Sequence, residues 1–142
     1  MYKKILLPID LDQESSWIRA LPVAAEYCQI FGARLHLLTV VPEFGTGLIG
    51  SFFPPDFEEK AVAEARDRIE ALARDKISPN IRAACYVAQG TVYEEILATA
   101  RDLKADLIVM ASHRPELKDY LLGPNAARVV RHSDVSVLVV RN

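Results

Sequence analysis

"ADLIVMASHRPELKDYLLGPNA", residues 105–126, is the stretch on which the fold turns. It holds an apolar run, Asp106 to Ala111, that stops at a polar cluster of Ser112, His113 and Arg114. Nine residues after Arg114 come Gly123 and Pro124, where a helical pattern opens and continues to His132. A short apolar run bounded by polar residues reads as a strand buried on both faces. A glycine at the start of a helix lets an anion come close to free backbone amides.

The same alternation extends outward in both directions. Residues 3–9 (KKILLPI) read as a strand. Asp12 is placed to cap a helix over roughly 13–31, where Trp17, Leu21, Ala24, Ala25, Cys28 and Phe31 form one stripe that Gly32 ends. Arg34 to Val41 is a second strand, closed by Pro42. Residues 42–56 lack any period and form a long loop, fit for a lid, whose Phe44, Leu48, Ile49, Phe52 and Phe53 need something to pack on. Phe57 to about Lys76 is an amphipathic helix, and Arg82 to Val87 a third strand. Gly90-Thr91 opens a further helix with a capping box from Thr91 to Glu94. After the quoted stretch, Val135 to Val140 is the last strand.

Strands alternating with helices imply a mostly parallel sheet with helices on both faces, the doubly wound α/β class. The expected strand order is 3-2-1-4-5, in one domain spanning residues 1–142. In that order a crevice opens between strands one and four at their carboxyl ends. Pro8, Ile9 and Asp10 end the first strand, Met110 to Arg114 end the fourth, and the helix at Gly123 aims its N-terminus there. The residues thus converge on one anionic ligand.

Bulk properties narrow the classes of function. The chain has 142 residues and a formal net charge of −2, which gives no electrostatic case for nucleic acid or an anionic membrane surface. No run approaches the roughly 20 apolar residues of a membrane span, so a cytoplasmic protein is expected. Cys28 and Cys85 lack metal-site spacing and read as buried free thiols. No Ser-His-Asp set, paired carboxylates or metal cluster is visible. His36 reads as facing out from its strand and His132 as a cation at a helix C-terminus, both structural. His113, a lone histidine and so weak evidence of catalysis, has a solvated loop position as its alternative reading. Arg114 has Glu116 and Asp119 as alternative surface partners, and Asp10 has a helix or turn to cap. A phosphoacceptor receiver domain needs an acid at the end of the third strand, where Val87-Ala88-Gln89-Gly90 stands instead.

Five segments together, KKILLPID, LHLLTVVPE, ADLIVMASHRP, YLLGPNAARVVRH and SVLVVRN, resemble the universal stress protein family over essentially the whole chain. ASHRP followed by YLLG looks most like its small single-domain F/G-type branch. The resemblance implies an adenine-nucleotide alpha-hydrolase-like (Rossmann-like) fold and an ATP-binding stress-response regulator, at most a slow ATPase or autokinase. It implies that Pro8, Ile9, Asp10, Val40 and Met110 line the adenine and ribose, and that Ala111, His113, Arg114, Gly123, Pro124, Asn125 and Ala126 line the phosphates. Asp10 would hold a Mg²⁺ through water. Family members often pair the last strand across a two-fold axis, which implies a homodimer through Val135, Val137 and Val139.

The chain departs from the family's glycine pattern. Ala111 replaces the first glycine, Arg114 stands near the second, and the spacing to Gly123 is one residue shorter. Pro124 stands where Ser or Thr is expected. Proline suits the first turn of a helix but gives a phosphate neither an N–H nor a hydroxyl. A dimeric interaction module without nucleotide is the alternative reading.

Overall fold

The computed structural model describes residues 1–43, 56–112 and 124–141. Its sheet is parallel throughout and ordered β3-β2-β1-β4-β5. The strands are β1 (Lys4–Pro8), β2 (Arg34–Val41), β3 (Ala83–Gln89), β4 (Leu107–Ala111) and β5 (Ser136–Val140). The helices between them are α1 (Ala20–Phe31), α2 (Phe57–Lys76), α3 (Val92–Leu103) and α4 (Pro124–His132).

The period of two along each central strand divides the core into two layers. Ile5, Leu7, Leu35, Leu37, Leu107 and Val109 point to one face, where Leu21, Ala24 and Cys28 of α1 and Ile69 of α2 cover them. Leu6, Leu38, Ile108 and Met110 point to the other, under Ile96, Leu97 and Ala100 of α3 and Ala126 and Val129 of α4. Burial on both faces is why these strands read as unbroken apolar runs. Each fully buried Leu, Ile or Val contributes about 1.5–3 kcal/mol relative to exposure.

Three local expectations are corrected. The first helix does not run over 13–31 with Asp12 as its cap: Glu14–Ser16 form one 3-10 turn and α1 starts at Ala20, with Arg19 before it. Pro22 explains the shift. A proline inside a helix loses a hydrogen bond and collides with the preceding turn, whereas in the first turn its missing N–H has no partner to lose. The Thr91–Glu94 capping box does not form. Thr91 precedes α3 without a side-chain cap, and the Glu94 carboxylate accepts the Tyr93 hydroxyl at 3.3 Å.

His36, expected to face outward, is buried, with Nδ1 3.0 Å from the Tyr86 hydroxyl. Cys28 is buried, while Cys85 lies half-buried on the edge strand β3. At the end of α1, Gly32 takes the left-handed conformation (φ 67°) that glycine adopts without steric cost. The 44–55 part of the long loop lies outside the described residues. Among the described residues no helix is long and apolar enough to cross a membrane.

Candidate functional site

The register of β1 locates the crevice. Along β2 it is paired up to Pro8↔Leu38, but it meets β4 only at Ile5↔Leu107 and Leu6↔Ile108. Past that point β4 stays with β5, through Ala111↔Val140 and the bond from Ser112 N to Val140 O at 2.8 Å. The two central strands part at their carboxyl ends, and a cavity of about 470 Å³ fills the gap. This is the point where the chain reverses its direction of travel across the sheet.

Three segments distant in sequence line that cavity. Pro8, Ile9 and Asp10 come from the end of β1, Met110 and Ala111 from the end of β4, and Pro124, Asn125 and Ala126 from the first turn of α4. Val40 of β2 joins them. Of the residues expected from sequence, His113, Arg114 and Gly123 lie outside the described residues. Pro124 is the first described residue of α4, and Asn125 and Ala126 follow it along the helix.

The loop after β1 is tied into one shape. Ile9 N donates to Leu38 O at 2.7 Å, which extends the ladder to the tip. The Asp10 carboxylate accepts from Asp12 N at 3.0 Å, an Asx turn, and Ser16 Oγ accepts from Asp10 N at 2.9 Å. The Ser16 hydroxyl lies 2.7 Å from Gln13 O and 2.9 Å from Asp10 O, the acceptors for its proton. Arg68 of α2 reaches across to donate to Asp12 Oδ1 at 3.1 Å and to Leu11 O at 3.0 Å. Asp12 is four-fifths exposed, so this pair adds little stability, but it fixes the loop to α2. Asp10 is therefore a turn-former that is exposed and lines the cavity. No group of three or more potential metal ligands occurs among the described residues.

Sequence reasoning missed several cavity residues. Leu38 and Ile96 form part of the floor, and Val92 and Arg128 part of the rim. Leu38 and Ile96 were hidden as ordinary core positions. Arg128 had a visible signal, since it lies four residues after Pro124 and so on the same helix face. Apolar floor, acidic loop and basic helix face together suit a ligand with a flat apolar part at one end and negative charge at the other.

A family model described as "Universal stress protein family" matches residues 1–141. Universal stress protein G of Shigella flexneri is 33% identical over 143 residues, covering 99% of this chain and 100% of the relative. The solved structure of MJ0577, a protein of Methanocaldococcus jannaschii, is similar with a TM-score of 0.75 at 28% identity, covering 100% of this chain and 97% of that one. The structure of a universal stress protein in complex with cAMP is similar with a TM-score of 0.64 at 25% identity, covering 99% of this chain and 97% of that one.

Proposed function

The chain belongs to the universal stress protein family, and from that premise we propose that it is a stress-response regulator that binds ATP or a related adenine nucleotide in the β1–β4 crevice. The observation that carries this reading is the convergence of Asp10, Ala111 and Asn125 on one cavity of about 470 Å³ at the switch point of the sheet. A relative of the same fold is known in complex with cAMP, an adenine nucleotide. Pro8, Ile9, Asp10, Val40 and Met110 hold the base and ribose. Ala111, Pro124, Asn125 and Ala126, with His113, Arg114 and Gly123, surround the phosphates. A Mg²⁺ fits beside Asp10 through water, because that ion keeps several waters and takes phosphate oxygens with only one or two carboxylates. The cytoplasm is the compartment proposed, with the whole chain acting as one domain.

We also propose that β5 pairs with β5 of a second copy. It is an edge strand hydrogen-bonded to β4 on one side, and four of its five residues are only half-buried. An apolar edge of this kind is open to pairing with another chain.

Pro124 favours a second reading, a dimeric module without nucleotide. The proline withholds one N–H and one hydroxyl from any phosphate at the start of α4. Hydrogen bonds to charged groups are worth about 1.5–3 kcal/mol each, so restoring them should matter. Titration calorimetry decides between the readings. ATP should saturate one site per chain at or below about millimolar ligand, and Pro124→Ser should tighten it by about tenfold. Absence of saturable heat for both proteins would leave the interaction module standing instead.

A further inference from the structure

One charged residue of the crevice stands outside the roles given above. Among the described residues lining the cavity, Arg128 is the only cation, and Asp10 and Asp12 line the cavity with it. Arg128 lies one turn beyond Pro124 on α4. Helical side chains lean toward their own N-terminus, so its guanidinium is carried back over the turn that holds Pro124, Asn125 and Ala126.

The side chain is also braced. Its Cζ lies 5.3 Å from the ring centroid of Tyr93, in the first turn of α3. The Tyr93 ring is fixed in turn by its hydroxyl on Glu94 and by the His132 ring, 6.2 Å away and tilted by 31°. A guanidinium held against an aromatic face keeps its N–H edge for a planar, bidentate acceptor. Among the described residues no carboxylate stands within salt-bridge distance of Arg128 to occupy that edge.

Resting on the nucleotide reading above, we propose that Arg128, braced by Tyr93, is the phosphate-contacting residue that makes this crevice select phosphorylated adenine ligands over adenosine. It supplies from the second turn of α4 the charge-assisted hydrogen bonds that Pro124 withholds from the first. The acidic loop and Arg128 then orient the ligand, with ribose hydroxyls toward Asp10 and phosphates toward α4.

The test is titration calorimetry of the full chain with ATP and with adenosine, for wild type, Arg128→Gln, Tyr93→Phe and Tyr93→Leu, each checked for an unchanged thermal melt. Arg128→Gln should weaken ATP by about tenfold or more, the loss expected for charged hydrogen bonds. It should leave adenosine within about twofold, and it should flatten the salt dependence of ATP binding. Tyr93→Phe keeps the ring but loses its bond to Glu94 and should lose less ATP affinity than Tyr93→Leu, and both losses should be for ATP alone. Unchanged ATP affinity in Arg128→Gln, or equal losses for ATP and adenosine, would overturn the role of Arg128 while the crevice reading stands. A wild-type protein that binds neither ligand would overturn both.

Discussion

His36 shows how a single polar residue records its surroundings. It is buried on the face that α3 covers, its Nδ1 meets the Tyr86 hydroxyl, and its buried Nε2 has no hydrogen-bond partner among the described residues. Burial holds its pKa below the ordinary histidine value, and the nearby Arg34 and Lys4 push in the same direction. The unfolded chain therefore takes up this proton more readily than the folded one. The contribution to stability is full above the unfolded pKa, about 6.5, and is lost as pH falls toward the lower folded value. Urea midpoints should fall between about pH 7.5 and about pH 5.5, and His36→Gln, which can still meet Tyr86, should show a shallower fall. Equal slopes would place the acid sensitivity elsewhere. Burial likewise raises the Cys28 thiol to about 11, which keeps it protonated and unreactive at neutral pH. The reading of a sheet covered on both faces already implied a buried β2, and His36 was read as facing out because the polarity of its side chain was given more weight than its place in that strand.

At the level of elements, the strands and most helices were legible because their apolar periods are long and clean. β2 and α2 have the limits their sequences imply, Arg34–Val41 and Phe57–Lys76. The start of α1 was misread because a six-residue apolar stripe outweighed one proline, and Pro22 settles that competition on steric grounds. The Thr91–Glu94 pair has the spacing of a capping box, but Thr91 makes no side-chain cap, and one oxygen of the Glu94 carboxylate accepts the Tyr93 hydroxyl. The edge strand β5 carries its own prediction. Ser112 N bonds to Val140 O, so Val140 faces β4 with its backbone, and in a parallel strand its neighbour Val139 faces the open edge. Proline is tolerated where the N–H has no ladder partner. Val139→Pro should therefore convert a dimer to a monomer by light scattering, with only a small loss in melting temperature. A dimer that survives the substitution would put the interface on another surface. A charge at Val137 is a poorer probe, since that side chain packs against the core beneath α3 and α4.

For the whole molecule, the decisive feature is that one topological reversal creates the site. The alternation of strands and helices made the sheet order legible, and the order alone implied where β1 and β4 separate. The ends of those strands could then be named from sequence, and Asp10, Met110 and Ala111 do line one cavity with Pro124, Asn125 and Ala126. The contributions of Val92 and Ile96 were not legible, because they depend on how α3 packs beside α4 rather than on any strand end, whereas Arg128 could have been found from its place one turn after Pro124. The central claim is that this shared hollow, and no other surface, takes an adenine nucleotide. Backbone amide NMR of the labelled protein during ATP titration tests it most directly. Saturable shifts concentrated at Ile9, Asp10, Ala111, Asn125 and Ala126 are the predicted result; shifts that cluster on the far side of the sheet, around α1 and α2, or no shifts at millimolar ATP, would contradict it.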